Sequence, residues 1–390
     1  MNMLIEIHMI QNHNPANLNR DDLGAPKTCI FAGVTRARIS SQCLKRSIRR
    51  SPEFSAALEK DGGVRTRRLI EAIAKEAAGE GNPPKKEHCE AIRKVFVDGG
   101  VGLKDDNTFK ILFFLPQSAI TKMGAAVREA NGDLGKRFAE IMRNSVKTPD
   151  IALCGRMTEF EAKGPFEGLK GQFTVEAALS AAHAISTHAA TNEVDYFTAA
   201  DDVAGQDAGA GHVNEAMFNS ACFYKHFVID FEQLVKNLAN DTDLARKTVR
   251  CFLEAAARAN PSGKQHAFAA FNLPDGVLVE VKTNSATPIS YANAFADPVP
   301  EKSERGLIGE SVARLGQYAH DLIEGYGIEA DRFWFSPNLR HRLTWIDKTK
   351  KEHEQEQSVV GPNEFGEFDR FLRTVMDKVE AGATPAGTAK

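Results

Sequence analysis

The sequence predicts an α+β fold, because strand-like and helix-like segments interleave along the chain without an internal repeat. The first strand is expected over residues 3–11, where apolar side chains at alternating positions would line one face. Residues 53–140 are instead rich in strong helix formers and are expected to form an inserted helical lobe. The sequence therefore favours a sheet core that carries insertions.

Later segments fit the same mixed class. A helix is expected to begin at the capping pattern of residues 230–233, and the turn at residues 273–276 predicts a β-hairpin. The further elements, in chain order, are expected to be a helix (41–50), a return to β structure (150–157), a projecting arm (157–173), a strand (222–230), two hairpin strands (265–271 and 277–282) and a helix (311–325).

The composition is that of an ordinary soluble protein, with 42% hydrophobic and 26% charged residues and a net charge of -3 over 390 residues. The N-terminal segment lacks the basic region of a signal peptide, and no apolar stretch approaches the ~20 residues of a membrane span. The six cysteines are scattered without a C-x-x-C pair, which indicates reduced thiols. We therefore expect a cytoplasmic protein with no membrane partner.

Positive charge is concentrated near the N-terminus. No Asp or Glu occurs from Leu23 to Pro52. The same stretch holds seven basic residues, namely Lys27, Arg36, Arg38, Lys45, Arg46, Arg49 and Arg50. Because the complete chain is slightly acidic, this concentration is typical of a polyanion-binding site. The alternative is the solvated basic face of an ordinary surface helix, which charge alone does not exclude.

Helical periodicity orders part of this stretch. In a helix over residues 41–50, one face would carry the residues at i, i+3, i+4 and i+7, which are Gln42, Lys45, Arg46 and Arg49. Leu44 and Ile48 would face a core, and Ser40 or Ser41 is a natural N-cap. A phosphate at this helix start could meet free backbone N–H groups, serine hydroxyls and a row of cations.

The other polar clusters favour structural roles. Asp21 and Asp22 would point to opposite sides of an extended chain, so a salt bridge or loop cap with Arg20 is favoured over a shared metal. His8 and His13 could act as acid and base in an RNA-cleaving site, but no nucleophile or carboxylate is arranged with them.

Two further motifs lack the spacing of a metal-binding or a nucleotide-binding site. His183 and His188 lack the i, i+4 spacing of a helical metal-binding pair, and they are interpreted as structural. Residues 205–211 lack the third glycine of a dinucleotide-binding loop and are interpreted as a flexible loop. The residues alone therefore predict a phosphate-binding helix without a catalytic set.

Several short segments follow one another in a specific order. They are Asn19–Asp22, Pro26–Lys27, Phe31–Gly33, Arg36–Gln42 and Leu44–Arg46, then residues 150–157, 182–188, 195–202, 267–272 and 292–295. Through these segments, which span most of the chain, the sequence resembles the CasC family, the backbone subunits of the type I-E CRISPR Cascade surveillance complex.

The resemblance implies an α+β fold of three parts. An RRM-like (ferredoxin-like) palm would comprise residues 1–52 and 141–376, and a helical fingers domain would be inserted at residues 53–140. A β-hairpin thumb within the palm would comprise residues 157–173 and reach across to a neighbouring subunit. Residues 377–390 would form a flexible tail.

The resemblance also implies the site residues. The positions that match the family's RNA-contacting motif are Arg20, Lys27, Arg38, Ser40, Gln42, Lys45, Arg46 and Arg49. The thumb positions are Met157, Phe160, Lys163, Phe166, Lys170 and Phe173.

The implied function is that of a guide-RNA-binding subunit. It would oligomerise as a filament along CRISPR RNA, together with other Cascade subunits, and present the guide for pairing with target DNA in antiviral defence. The resemblance implies no catalytic residue, metal or cofactor, and cleavage would belong to a helicase-nuclease recruited by the complex. The alternative is an endoribonuclease of the same RAMP superfamily that uses His8, His13, Asp21 or Asp22 to cleave guide precursor or target RNA.

Overall fold

The chain folds into two compact units. The computed structural model describes residues 3–58, 61–106, 108–129, 132–145, 148–169, 171, 173–199, 212–283, 287–300 and 302–383. Unit 1 comprises Met1–Ser51, Ser180–Val228 and Phe252–Lys390, and unit 2 comprises Pro52–Leu179 and Ile229–Cys251. Unit 1 holds most of the β structure, whereas unit 2 is mainly helical.

Strands and helices interleave as an α+β fold requires. The described strands are β1 (Leu4–Ala16), β2 (Thr28–Phe31), β3 (Val34–Ile39), β4 (Gly63–Thr66), β5 (Phe113–Pro116), β6 (Leu179–Ala181), β7 (Ala184–Ser186), β8 (Glu193–Ala199), β9 (His212–Asp230), β10 (Gly276–Lys282), β11 (Asp331–Phe335), β12 (Thr344–Ile346), β13 (Glu356–Ser358) and β14 (Glu364–Phe365). The described helices are α1 (Ser41–Arg49), α2 (Pro52–Leu58), α3 (Leu69–Ala78), α4 (Lys86–Asp98), α5 (Gln117–Glu129), α6 (Leu134–Arg143), α7 (Pro149–Cys154), α8 (Phe231–Asn237), α9 (Thr242–Arg258), α10 (Gln265–Phe268), α11 (Gly306–Tyr326) and α12 (Phe368–Ala383). None of these helices is long and apolar enough to cross a lipid bilayer.

Ten of the described strands form one sheet, in the order β14-β11-β10-β1-β9-β7-β3-β2, with β6 and β8 also paired to β9. β4 pairs with β5 and β12 with β13 in two separate two-stranded sheets. β1 lies near the centre and pairs antiparallel with β10, so that Ile5 faces Val281. The predicted first strand is confirmed, and it extends beyond residue 11 to Ala16. A central position explains why both faces of β1 are buried.

Two short segments differ from the prediction. The expected β structure around residue 150 is helix α7, which begins at Pro149, and proline is favoured at the first helical position. The expected hairpin strand at 265–271 contains the short helix α10, where the Gln265 amide donates to the Pro261 and Ala270 carbonyls. β10 therefore pairs with β1 and β11 instead of with a hairpin partner.

Both faces of the unit 1 sheet carry helices. Ile10, Leu278 and Trp334 form one core with residues of α11, which contains the helix predicted over 311–325. Phe335 lies on the other face, next to Trp334 in sequence, and its ring contacts Phe371 of α12 at a centroid distance of 5.8 Å.

The C-terminal segment corrects a further expectation. α12 continues to Ala383, and its Val379 side chain is fully buried. The prediction of a flexible tail from residue 377 is therefore wrong for residues 377–383, because α12 docks on the sheet through an apolar face. Residues 384–390 lie outside the described part of the chain.

Unit 2 is built around clustered phenylalanine rings. The ring of Phe96 contacts Phe109, Phe113 and Phe138 at centroid distances of 4.9, 5.5 and 5.8 Å. Helix α5 packs against α3 and α6 around this cluster. The unit includes the helical region expected at residues 53–140 and extends further, to Leu179 and over Ile229–Cys251.

The segment predicted as a thumb completes this core. Gly164–Leu169 forms a 3-10 helix, and Phe166 and Phe173 are 0% and 3% exposed. Phe160 meets both rings edge-on at 6.1 and 6.2 Å. Residues 157–173 are therefore not a projecting β-hairpin, because burying the Phe166 and Phe173 rings, with the partly buried Phe160 packed against them, removes their apolar surface from water.

Candidate nucleic-acid interface

Helix α1 begins at a double cap. The Cys43 amide donates to the Ser40 hydroxyl oxygen at 3.2 Å, and the Ser40 amide donates to Asn19 Oδ1 at 2.8 Å. Leu44 and Ile48 are buried beneath the helix. The predicted N-cap and the predicted buried face are confirmed, and together they fix which side of α1 faces solvent.

The other side of α1 is polar and basic. Gln42 and Arg46 are exposed, whereas Lys45 and Arg49 are half-buried. Neither Lys45 nor Arg46 forms an ion pair with another described residue. Arg46 and Arg49 also lie in the last turn, where the helix dipole favours positive charge. Lys45 and Arg46 can therefore contact an anion without first losing an ion-pair partner among the described residues.

Two further predicted cations lie beside the start of α1. The Arg38 amide donates to the Lys27 carbonyl at 2.8 Å, which joins the segment before β2 to β3. His183 reaches the same place, because its Nδ1 accepts a hydrogen bond from the Ser41 amide at 2.9 Å. Burial and the charges of Arg38 and Lys27 lower the pKa of His183. We call Gln42, Lys45, Arg46 and Arg49, with Lys27 and Arg38, the α1 surface.

An open depression of about 520 Å³ adjoins the α1 surface. The residues that line it include Arg20, Arg46, Asp21, Asp22 and Gly263. The loop-cap interpretation of Asp21 is confirmed, since its Oδ1 accepts from the Leu23 and Ala25 amides at 2.9 Å each. Arg20 thus joins the other predicted RNA-binding residues in unit 1.

One basic residue of the N-terminal stretch does not belong to this surface. Arg36 is fully buried, and its guanidinium donates to the Thr187 carbonyl at 3.0 Å and the Phe295 carbonyl at 2.7 Å. These bonds tie β3 to the segments after β7 and before α11. Arg36 therefore has a structural role, which charge counting along the sequence cannot distinguish.

The two N-terminal histidines are inaccessible. His8 and His13 are both buried, and burial with the charge of Lys225 lowers the pKa of His13 to about 3. The Nε2 atom of His8 lies 3.4 Å from Glu280 and 3.7 Å from Glu6. Neither imidazole can contact RNA in this structure.

His8 belongs to a buried ionic layer on the sheet. Lys282 Nζ donates to Glu6 at 2.7 Å, and Arg332 Nε donates to Glu280 at 2.6 Å. Glu6, His8 and His226 are near enough to one another to hold a cation, but the two imidazole rings stack at 4.6 Å with an interplanar angle of 9°. In-plane lone pairs of parallel rings do not converge on one ion, so an ion-pair layer accounts for this group better than a metal site.

The predicted thumb residues are dispersed. Met157 is 84% exposed, and Lys163 pairs with Glu161 at 3.0 Å. Lys170 lies outside the described residues. With the three phenylalanines in the core of unit 2, the described residues of this set do not form a shared surface.

The sequence reading missed a long hairpin in unit 1. β8 pairs antiparallel with β9 from Glu193↔Phe218 to Ala199↔His212. Tyr196 is 70% exposed and Phe197 48% exposed. The alternation of polar and apolar residues from position 193 was the available signal. Residues 205–211, interpreted above as a flexible loop, lie outside the described part of the chain.

Comparison with known proteins identifies related chains. The family model described as CT1975-like protein matches residues 5–359. A solved structure titled "CRISPR RNA-guided surveillance complex, pre-nicking" is similar with a TM-score of 0.77 and 28% identity, over 96% of this chain and 99% of that chain. A second, titled "CRISPR RNA-guided surveillance complex", gives a TM-score of 0.58 and 25% identity over the same shares. The curated proteins include no match.

Proposed function

This chain belongs to the CT1975-like family of Cas proteins, and we propose that it is a backbone subunit of a Cascade surveillance complex that binds the guide RNA through the α1 surface. Likeness to chains of CRISPR RNA-guided surveillance complexes over 96% of its length supports this role. The proposal includes the type I-E subtype, several copies in a filament along the CRISPR RNA, and pairing of the displayed guide with target DNA.

One observation carries the proposal. The α1 surface presents cations to solvent around the start of α1, and the burial of Leu44 and Ile48 fixes this orientation of the helix. Lys45 and Arg38 would contact phosphate oxygens at this helix start. Phosphate contacts hold a strand without reading its sequence, and the base edges stay free to pair. This is the arrangement that a guide-displaying subunit needs.

The β8–β9 hairpin is the element that we propose as the thumb, in place of residues 157–173. Tyr196 and Phe197 point to opposite faces of an extended strand, so one aromatic ring is available on each side. Such rings can stack on an unstacked base or cover apolar surface on a second copy. In the same proposal, unit 1 corresponds to the palm and unit 2 to the fingers.

The test measures how the affinity for RNA changes with salt concentration. Wild type is compared with Lys45→Ala/Arg46→Ala, using an unstructured single-stranded RNA. Each lost phosphate contact should lower the slope of log affinity against log salt by ~0.7 and weaken binding equally for different sequences.

The matched control is Lys85→Ala/Lys86→Ala in unit 2, which removes the same charge. There, Lys85 and Lys86 already pair with Glu87 and Glu90 at 3.8 and 4.0 Å. The control should retain the wild-type slope. Equal slopes for all three proteins would show that the α1 surface is only a solvated basic face.

A further inference from the structure

His183 fixes the start of α1 from a distant part of the chain. Its Nδ1 accepts a hydrogen bond from the Ser41 amide, with an N···N distance of 2.9 Å, across 142 positions of sequence. The amides of the first helical turn have no intrahelical acceptor, so each needs an outside partner or a ligand. The Ser40 hydroxyl oxygen accepts a hydrogen bond from the Cys43 amide, and His183 Nδ1 accepts one from the Ser41 amide.

This hydrogen bond defines the protonation state of the ring. An Nδ1 that accepts a hydrogen bond from an amide carries no proton itself, so the proton of the neutral imidazole is on Nε2. The ring is exposed to solvent. It can therefore exchange a proton with water and contact a ligand that approaches the α1 surface.

The charged groups around His183 are cations. Arg38 of β3 and Lys27 before β2 act on the ring, and no carboxylate of the described residues does so. On β9 the His226 carbonyl accepts from the Ala182 amide, while the His226 imidazole stacks on His8 and not on His183. These cations disfavour a charged imidazole in the free protein.

A bound phosphate reverses this balance. Its negative charge offsets Lys27 and Arg38 and stabilises an imidazolium next to it. Protonation of Nδ1 by solvent breaks the bond to Ser41, so the Ser41 amide becomes available as a donor to the phosphate. The hydrogen bond between Ser41 and His183 is thus lost, and the Ser41 amide and the His183 imidazolium both become donors to the phosphate.

We propose that His183 is a further RNA-binding residue, whose proton uptake is coupled to phosphate binding at the start of α1. The inference rests on the proposed function, because the phosphate is that of a nucleic acid strand. It predicts that RNA affinity rises as the pH falls, since the bound state then holds one more proton than the free state.

The experiment measures the affinity for an oligouridylate from about pH 8.5 to about pH 5.5 at constant ionic strength, a window that brackets an ordinary imidazole. Uracil has no group that titrates near the pKa of an imidazole. Wild-type affinity should rise by up to about tenfold per pH unit where free His183 is neutral and bound His183 is charged.

The variant His183→Asn removes the titratable group but keeps a hydrogen-bond acceptor at this position. The asparagine oxygen can accept a hydrogen bond from the Ser41 amide and does not titrate in this range. This variant should bind with the wild-type affinity of high pH and show no pH dependence. His188→Asn is the matched control, because His188 lies in the same segment and its Nε2 accepts from the Cys222 amide at 3.3 Å; it should retain the wild-type pH dependence.

An NMR titration of the His183 ring supplies a second readout. The pKa of His183 should rise when oligouridylate is added. A pH dependence that persists in His183→Asn, an unchanged pKa, or complete loss of binding by a folded His183→Asn protein would each overturn the proposal. A wild-type protein that binds no RNA at any pH would overturn the proposed function as well.

Discussion

The buried ionic layer of unit 1 contains one close lysine–glutamate pair. Lys282 and Glu6 are both fully buried and 2.7 Å apart. In Lys282→Met the Glu6 carboxylate would keep only weaker donors, such as the Ile289 amide at 3.2 Å. Removing one partner of a buried pair typically costs about 3–5 kcal/mol, since the other charge remains desolvated. We therefore expect Lys282→Met to lower the free energy of unfolding by this amount, as measured by chemical denaturation.

A second ion pair provides the control for this substitution. Lys378 and Asp331 are 3.0 Å apart but 37% and 43% exposed. Lys378→Met should change stability by at most about 1 kcal/mol, because exposed pairs are solvated and screened. The double variant Lys282→Met/Glu6→Leu should recover part of the loss. Similar effects of Lys282→Met and Lys378→Met would contradict a buried ionic layer.

Elements with strong local signals could be predicted from the sequence. The spacing of Leu44 and Ile48 against Lys45 and Arg46 identified α1 and its exposed face before any tertiary contact was known. The alternation of residues 3–11 identified β1 in the same way. In both cases the hydrophobic period matches the element, so local and tertiary preferences agree.

Whether the phenylalanines of residues 157–173 contact RNA or a hydrophobic core could not be predicted from the sequence. Phe160, Phe166 and Phe173 lie six and seven positions apart in a stretch with glycine, proline and lysine between them. Nothing local distinguishes a ring that contacts RNA from a ring that packs in a core. The resemblance placed them in a thumb, whereas Gly99 packs so closely on Phe166 that a Cβ there would lie 2.1 Å from the ring. Such complementarity exists only after distant segments meet.

The β8–β9 hairpin should matter for assembly and not for folding. In Tyr196→Ser/Phe197→Ser, two rings that are 70% and 48% exposed are lost, so the melting temperature should stay near that of wild type. If each ring stacks on a base, its loss costs ~1–3 kcal/mol at every subunit. We expect shorter assemblies on guide-length RNA, as measured by native mass spectrometry.

Phe166→Ala is the control for Tyr196→Ser/Phe197→Ser, because it should affect stability and not assembly. Its ring is fully buried in unit 2, so the change should destabilise the protein by about 3–5 kcal/mol. Assemblies formed below its melting temperature should retain wild-type length. Full-length assemblies of Tyr196→Ser/Phe197→Ser on RNA would show that the hairpin is not the thumb.

Three of the four residues that the endoribonuclease alternative would use, His8, His13 and Asp21, are buried or held in structural contacts. His8 and His13 are buried, and the Asp21 Oδ1 atom is occupied by two backbone amides. General acid–base catalysis needs a group within hydrogen-bond reach of the substrate, which neither histidine offers. We therefore expect a protein that binds and displays RNA without cutting it.

Incubation of the purified protein with repeat RNA, and with guide RNA paired to a complementary RNA, checks this expectation with and without Mg²⁺. Both RNAs should remain intact on a denaturing gel under conditions where binding is saturated. Asp22 is exposed, so Asp22→Ala should alter stability by no more than about 0.5 kcal/mol and leave RNA binding intact. Metal-dependent cleavage by wild type that disappears in Asp22→Ala would instead establish an endoribonuclease. The depression lined by Arg20, Asp21 and Asp22 would then be its active site, and the α1 surface would hold the substrate.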